Sequence, residues 1–497
     1  MQQIIEVIKQ AFGLIPFEQL VREFMLYSTK EPWFFTEFSF LFTFGIFLFF
    51  YALLFTQNAW RKIYLIAFSL FFYYKSSGPY LALFVFQIVA DFFFARKIER
   101  TEGASRRVWV TFAVLFSLSF LLYFKYANFL LANTNWLLLT HFEPVDLFLP
   151  IGISFYTFQS ISYVVDVYRR QIPSSENFLD YAFYMTFFPH LVAGPIVRAK
   201  DFLGQINAPE NLDARKYKES LLRIMLGLAK KLLIADYLGK YVDMVFENPS
   251  FYSGGENLLG ALAYSFQIYF DFSGYSDIAI GLALLLGYRL KENFDHPYGA
   301  SNVTEFWRKW HISLSSWLRD YVYIPLGGNR KGAFNTYLFL LITMLVGGFW
   351  HGASWKFVAW GAAHGLALAL HKVANKHLPE GKWMDFIGGI CTFCFVTFCW
   401  IFFRAKDFDS ALTILNQITY ATSELDFLGF WFSRNELAIL LITLLVWILI
   451  PSTWKKKGFE WSFYIPSFFW FFFLLAALQF IIQFRDALVQ PFIYFQF

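Results

Sequence analysis

Long apolar stretches separated by short polar ones run along most of the chain and predict membrane-spanning helices. A spanning helix needs about 20 mostly apolar residues. The candidate segments are 38–57, 63–75, 79–95, 108–125, 149–168, 181–196, 221–246, 256–289, 335–351, 355–371, 386–403, 437–451 and 463–484. Several of them are shorter than 20 residues, which predicts hairpins and broken helices whose backbone groups are satisfied by protein rather than by lipid.

The polar stretches indicate which loops face the cytoplasm, because cytoplasmic loops carry an excess of Lys and Arg. Basic residues gather in four stretches: 96–107, 198–231, 289–331 and 453–459. By contrast, 126–148 contains two acids and no Lys or Arg, so we expect it to face outward. The resulting topology has about a dozen crossings with both termini outside.

One apolar segment does not fit this topology as a crossing. If 149–168 returns to the cytoplasm and 198–231 is also cytoplasmic, the intervening segment 181–196 cannot cross. Its prolines, Pro189 and Pro195, also interrupt a helix. We therefore predict a re-entrant hairpin that packs against protein.

The composition supports a membrane protein. The chain has 497 residues, of which 58% are hydrophobic, 23% aromatic and 15% charged, with a net charge of +5. Soluble domains carry roughly 25% charged residues, so a soluble globular protein is excluded. We predict a helix on the membrane surface over 1–36 and a single all-α polytopic domain over 37–497. Its expected environment is the lipid bilayer, and we expect no nucleic-acid partner.

Two histidines stand out in the apolar stretch 344–365, "MLVGGFWHGASWKFVAWGAAHG". From Thr336 to His351 a helix rises about 22 Å, which carries His351 deep into the membrane, and the next segment returns with His364. A buried histidine is often only a satisfied core residue, but an ionisable residue inside the membrane is by default a functional candidate. An imidazole is also the natural general base at neutral pH.

The cytoplasmic stretch 293–332 is the second informative region. It combines three tryptophans with His311 and several basic residues. Such a mixture suits lipid headgroups or a large anionic ligand. Interfacial anchoring and an inside-positive topology signal are the alternative explanations.

Other polar groups in apolar segments have simpler interpretations. Asp271 and Asp277 either orient a histidine or pair with a basic residue, and the sequence does not choose between these roles. The cysteines Cys391, Cys394 and Cys399 lie in one apolar segment without further ligands nearby. They cannot complete a tetrahedral metal site, so we predict no metal and expect buried, small apolar side chains.

Several motifs in order resemble the membrane-bound O-acyltransferase family. "EFWRKWHISLSSWLRDYVYIPLGGNRKG" is followed after one apolar helix by "GFWHGASW". "LPIGISFYTFQSISYVVDVYR", "FFPHLVAGPIVR", "DFSGYSDIAIGLALLLG" and "WIFFRA" also fit. The resemblance covers about 149–405, the motif core of the domain. "YIPLGGNRKG" is most similar to the branch of alginate and peptidoglycan O-acetyltransferases.

The resemblance implies specific roles for individual residues. His351 would be the catalytic residue, and His311 would assist from the cytoplasmic side of a central tunnel. Candidate donor contacts lie in the cytoplasmic stretch: Arg308, Lys309, Trp310, Arg319, Arg330 and Lys331. Candidate tunnel or supporting residues are Asp271, Asp277, Trp350, His190 and His364.

The resemblance also implies a reaction. A cytoplasmic acyl donor, acetyl-CoA as co-substrate with no bound cofactor, would supply acetyl groups for an extracytoplasmic polysaccharide. The expected partner is an extracytoplasmic acetyltransferase or polysaccharide-synthesis complex, and the expected location is the bacterial cytoplasmic (inner) membrane. A path through the protein would be needed, because the coenzyme phosphates cannot cross hydrocarbon.

Three alternatives remain open at this point. The nearest is D-alanyl transfer to teichoic acid, whose proteins share the pattern up to "WHISLS" and usually diverge at "PLGG". A proton-coupled transporter would use His351, Asp271 and Asp277 as a relay, although repeated halves are not visible in the sequence. A scaffold for a polymer-export machine would not need His351 for activity.

Overall fold

The protein is described from a computed structural model over residues 25–28, 32–192, 194–375, 377, 379–484 and 492–493. Within these ranges the structure is helical and contains no β-strand. The predicted all-α fold is therefore confirmed. Most of the predicted surface helix over 1–36 lies outside the described residues.

The α-helices are numbered in chain order: α1 (Phe38–Leu54), α2 (Asn58–Ser77), α3 (Leu81–Arg100), α4 (Gly103–Leu121), α5 (Ala127–Leu138), α6 (Ile153–Tyr168), α7 (Phe178–Thr186), α8 (Phe188–Leu191), α9 (Ala199–Phe202), α10 (Ala214–Ala229), α11 (Asp236–Glu247), α12 (Gly254–Leu285), α13 (Val303–Lys309), α14 (Ile312–Leu318), α15 (Ile324–Leu326), α16 (Ala333–His351), α17 (Trp355–Ala374), α18 (Lys382–Arg404), α19 (Phe408–Tyr420), α20 (Glu424–Ser433), α21 (Asn435–Leu449), α22 (Ser452–Trp461) and α23 (Ser467–Phe484). Wider π-helical turns join some of them, at Leu122–Tyr126, Lys230–Ala235 and Arg319–Tyr323. Both kinds of helix satisfy backbone groups within the segment, as the membrane interior requires.

The described chain divides into two compact units. The first contains the described residues up to Phe120, together with 148–192 and 198–208, and the second contains 121–147, 194–197 and the described residues from Pro209 onward. The prediction of one domain over 37–497 stays a prediction.

An aromatic core holds the first unit together. The ring of Phe188 is fully buried. The rings of Phe35, Phe44 and Phe68 have centroids 6.2, 5.8 and 5.2 Å from it. Offset and edge-to-face ring pairs of this kind add to the free energy gained by burial alone.

Glycines allow close helix pairing in the second unit. A Cβ atom added at Gly227 of α10 would lie 2.5 Å from the carbonyl oxygen of Gly274 on α12. Helices α16 and α17 also approach closely at a glycine, since a Cβ atom at Gly348 would lie 2.3 Å from the carbonyl oxygen of Phe357. Small residues let helix backbones approach in this way, and the second pair positions His351.

Six helical stretches in the described chain are long and apolar enough to cross a membrane, or seven if α20 and α21, which meet at 109°, form one broken span. The protein is therefore a multi-pass membrane protein. This number is lower than the predicted dozen. One reason is that Asn58–Arg100 forms a single stretch of 43 residues that contains two predicted segments.

The segment 181–196, which was predicted not to cross the membrane, contains short helices. In 181–196, α7 has 9 residues and α8 has 4, so neither is long enough to cross. The re-entrant path itself stays a prediction.

The expectation of buried cysteines is wrong for Cys391 and Cys394, which are exposed on the apolar helix α18, and right for Cys399.

Candidate active site

His351 is the last residue of α16 and is enclosed by aromatic rings. Its side chain is buried, with 4% of the residue exposed. The imidazole contacts the rings of Trp350, Trp360 and Phe403 edge to face, at centroid distances of 5.0, 5.0 and 5.1 Å. The rings fix the orientation of the imidazole within an apolar surrounding.

His311 precedes α14 and has a left-handed backbone conformation, with φ of +42°. It is fully buried, and its ring meets that of Phe272 edge to face at 4.6 Å. Its Nδ1 lies 3.1 Å from the side-chain oxygen of Asn293. The same oxygen accepts from the backbone N–H of Ser313 at 3.2 Å, so Nδ1 is the protonated nitrogen and Nε2 is the basic one.

The environment of His311 favours the neutral imidazole. Burial lowers the pKa of His311 to about 3, because the charged form loses its hydration. With the proton on Nδ1, the neutral ring can accept a hydrogen bond at Nε2 but cannot donate one there. His311 is therefore suited to hold an N–H group of a ligand rather than to take a proton.

Trp350 connects the two predicted histidines. The centroid of its indole lies 6.1 Å from that of His311 and 5.0 Å from that of His351. Residues 40 positions apart in the sequence thus contribute to one cluster of rings. The structure brings His311, Trp350 and His351 together, although each role stays a prediction.

Lys125 and Tyr126 anchor the end of α16 and were missed from the sequence. The Lys125 ammonium donates to the carbonyl oxygens of Trp350 and His351, at 2.8 and 3.0 Å. The Tyr126 hydroxyl donates to the carbonyl oxygen of Phe349 at 2.6 Å. The last carbonyls of a helix lack partners within it and carry partial negative charge, so this anchoring fixes the backbone that bears His351. A lysine in the apolar segment 108–125 was the available signal.

His364 extends the same cluster along α17. It is fully buried, and its ring lies 4.7 Å from Trp360 and 5.1 Å from Trp307. The indole N–H of Trp307 donates to His364 Nδ1 at 3.3 Å. Trp360 contacts both His351 and His364, so the predicted supporting histidine lies one ring away from the predicted catalytic one.

Asp271 and Asp277, the two acids predicted to lie in apolar segments, pair with lysines. Asp271 lies 2.7 Å from Lys231, which also lies 2.7 Å from Asp236. Asp277 lies 2.5 Å from Lys230. Of the two alternatives left by the sequence, pairing with a basic residue is the observed one. Buried carboxylates need such partners because an uncompensated charge is costly.

The candidate donor contacts occupy two environments. Arg308, Arg319, Arg330 and Lys331 are exposed. Arg319 pairs with Asp320 at 2.7 Å, and Lys309 pairs with Glu305 at 2.6 Å. Trp310 is instead buried, with its ring 5.0 Å from Trp400 and 5.5 Å from Phe306. Its contacts are those of a core residue, and a donor contact for each of these residues stays a prediction.

His190 belongs to the first unit and is described within it. It is buried on α8, with Nε2 3.1 Å from the side-chain nitrogen of Gln159. The ring of Phe187 lies 5.5 Å away. A tunnel or supporting role for His190 stays a prediction.

The fold and the site define a helical membrane protein with buried imidazoles grouped around indole rings. The sequence profile of the membrane-bound O-acyltransferase family matches residues 107–406. This chain belongs to the membrane-bound O-acyltransferase family and is an O-acyltransferase, which confirms the resemblance seen in the motifs.

Three relatives describe the neighbourhood within the family. The chain is 45% identical to a "probable alginate O-acetylase" of Pseudomonas putida, over 74% of this chain and 76% of the relative. It is 40% identical to a peptidoglycan O-acetyltransferase of Helicobacter pylori, over 71% and 73%. It is 30% identical to a teichoic acid D-alanyltransferase of Streptococcus thermophilus, over 51% and 68%.

Proposed function

We propose that this protein transfers acetyl groups from cytoplasmic acetyl-CoA across the membrane for O-acetylation of an extracytoplasmic polysaccharide. The observation that carries the proposal is the pairing of His351 and His311 around Trp350 in a chain with relatives named for O-acetyl transfer. The D-alanyl relative matches a smaller share of the chain at lower identity, which favours acetyl transfer.

In this proposal His351 is the general base. Its imidazole removes the proton from an acceptor hydroxyl as the oxygen attacks the thioester carbonyl. The carbon–sulfur bond then breaks, and the imidazolium returns the proton to the departing thiolate. General-base catalysis of this kind contributes about 10²–10⁴-fold. The enclosing rings exclude water, which limits hydrolysis of the donor.

The tautomer of His311 refines its role. With its proton on Nδ1, neutral His311 cannot polarise the donor carbonyl through Nε2. The geometry instead supports a positioning role, in which Nε2 accepts from an N–H of the donor. The exposed cations of the cytoplasmic stretch would then meet the coenzyme phosphates.

The proposal includes a location and a partner. We place the protein in the bacterial cytoplasmic (inner) membrane, because the donor is a cytoplasmic metabolite and the acceptor lies outside. An extracytoplasmic acetyltransferase or polysaccharide-synthesis complex would receive the acetyl group.

The test uses inside-out membrane vesicles that contain the full chain, its native partners and polymer. Labelled acetyl-CoA is added outside, and label in the polymer is measured for wild type, His351→Ala and His371→Ala at matched protein levels. His371 lies near the C-terminal end of α17 and contacts Thr304, so it is a matched histidine outside the site. We expect His351→Ala to lose labelling by about 10³-fold and His371→Ala to retain it. Equal labelling in wild type and His351→Ala would contradict the proposal.

A further inference from the structure

The indole N–H of Trp360 is a buried donor next to His351. The residue is 1% exposed, and its Nε1 has no protein acceptor among the residues that the structure describes. Its ring lies 5.0 Å from His351 and 4.7 Å from His364. This donor therefore belongs to the same cluster as the proposed base.

His364 supplies a second donor of the same kind. Its Nδ1 accepts from the indole N–H of Trp307 at 3.3 Å, so the neutral ring carries its proton on Nε2. That Nε2 is buried and has no protein acceptor within the described part of the chain. Two neighbouring rings, those of Trp360 and His364, thus each hold an N–H group that the described residues do not satisfy.

Such groups are costly in a folded protein. More than about 90% of buried polar groups have a hydrogen-bond partner. Leaving a buried donor without one costs about 1–3 kcal/mol. Two such donors lie on rings whose centroids are 4.7 Å apart, and one of these rings contacts the imidazole proposed as the base, so a bound acyl donor is the candidate acceptor for both.

We propose that Trp360 Nε1–H and His364 Nε2–H form the oxyanion hole of the acyl transfer, an inference that rests on the proposed function of His351. As the acceptor oxygen bonds to the thioester carbon, the electron pair of the carbonyl double bond moves to oxygen. The two N–H groups stabilise that negative charge. When the carbonyl re-forms, the carbon–sulfur bond breaks and the thiolate takes the proton held by His351.

Apolar surroundings increase the value of these donors. Fixed donors act most strongly where water is excluded, because they need no reorganisation as charge develops. Removing one oxyanion donor typically lowers kcat by about 10²–10³-fold. The loss falls on kcat, because the ground-state carbonyl carries less charge than the transition state.

The decisive variant is Trp360→Phe, which removes the N–H group and keeps an aromatic ring. In the vesicle assay we expect kcat to fall about 10²-fold while KM for acetyl-CoA stays within about threefold. Because the lost donor has no acceptor among the described residues, the melting temperature of the purified protein should not fall through loss of a hydrogen bond.

Trp400→Phe is the matched control. Trp400 stacks on Trp360 at 5.9 Å, but its indole N–H donates to the hydroxyl of Tyr298 at 3.1 Å. This variant makes the same chemical change one ring away. We expect kcat within about threefold of wild type and a lower melting temperature than Trp360→Phe, since here a protein hydrogen bond is lost.

Two substitutions at His364 test the second donor, and one of them is conservative. His364→Gln keeps an acceptor for Trp307 and an N–H donor, whereas His364→Leu removes both. We expect the Leu variant to lose kcat about 10²-fold and the Gln variant to recover at least half of that loss on a logarithmic scale. Equal losses in the two variants would contradict a donor role for His364.

The outcomes separate this inference from the proposed function. If the wild type is active and Trp360→Phe has the wild-type kcat, the oxyanion hole alone is overturned. The same holds if the wild type is active and Trp360→Phe and Trp400→Phe lose kcat equally. A wild type that transfers no label from acetyl-CoA overturns the proposed function. In that case the melting temperatures still test the oxyanion hole independently. A Trp360→Phe variant whose melting temperature falls as much as that of Trp400→Phe would overturn the inference.

Discussion

Two regions of the second unit bury ionisable side chains in different ways. In the π-helical turn between α10 and α11, Lys231 lies 2.7 Å from Asp236 of α11 and 2.7 Å from Asp271 of α12. Around the end of α16, by contrast, the ring contacts of His351 are indoles and a phenyl ring. Charged groups pair locally in the first region, whereas uncharged rings enclose the imidazole in the second.

The comparison shows that burial inside the membrane does not by itself identify a reactive group. The sequence placed Asp271 and His351 in equally apolar surroundings. A carboxylate that already has a lysine partner gains little from changing its protonation state, and it stabilises the helix pair only while the partner is present. A neutral imidazole can take and return a proton without first breaking an ion pair.

The largest expected effect comes from breaking the ion-pair region. Lys231→Met would leave Asp271 and Asp236 close together without their shared cation, and losing one partner of a buried pair costs about 3–5 kcal/mol. We expect a marked fall in the melting temperature of the purified protein, with Lys406→Met, at an exposed position, as the control. Equal melting temperatures for the two variants would refute this account of the region.

Removing the imidazole of His311 tests the ring-lined region. Because His311 has φ of +42°, we choose His311→Asn, since Asn tolerates the left-handed conformation. We expect kcat/KM for acetyl-CoA to fall about 10²-fold, mainly through loss of donor positioning, with folding retained. A variant with wild-type kcat/KM in the vesicle assay would remove His311 from the site.

Sequence motifs predicted the class of fold correctly, because it depends on local patterns, and they singled out His311 and His351, whose roles stay predictions. The motif around His351 and the apolar helix before it were sufficient to predict its burial. The anchoring of α16 by Lys125 was not predictable, since the contact joins residues 226 positions apart. A single sequence does not show which distant segments pack together.

The partners of polar groups were hidden for the same reason. Nothing in "DFSGYSD" distinguishes an aspartate that orients a histidine from one that pairs with Lys231. Six or seven helical stretches of the described chain have the length and composition of a span, and the number of crossings stays a prediction because apolar content does not reveal where a helix ends. The 16 residues of α6, for example, form a largely buried helix that is shorter than a usual span.

The anchor at the end of α16 gives a smaller prediction. Lys125→Met would leave the carbonyl oxygens of Trp350 and His351 without their ammonium donor, loosening the backbone that carries the imidazole. We expect about a tenfold fall in kcat with KM for acetyl-CoA little changed. Lys125→Arg keeps a cationic donor and should recover most of the activity. If the Arg and Met variants lose activity equally, the cation does not position His351.

The smallest expected effect is on the stability of the folded protein at acid pH, and it tests the ring-lined region. Folding holds the pKa of His311 at about 3, below its ordinary value of about 6.5. Between these values the unfolded chain binds a proton that the folded chain does not, so the stability from neutral His311 is complete above pH 6.5 and is lost as pH falls. From pH 7.5 to 5.5 this loss is about 1 kcal/mol. The melting temperature of His311→Asn should therefore fall less over that interval than that of wild type, and parallel falls would show that His311 is not held neutral by burial.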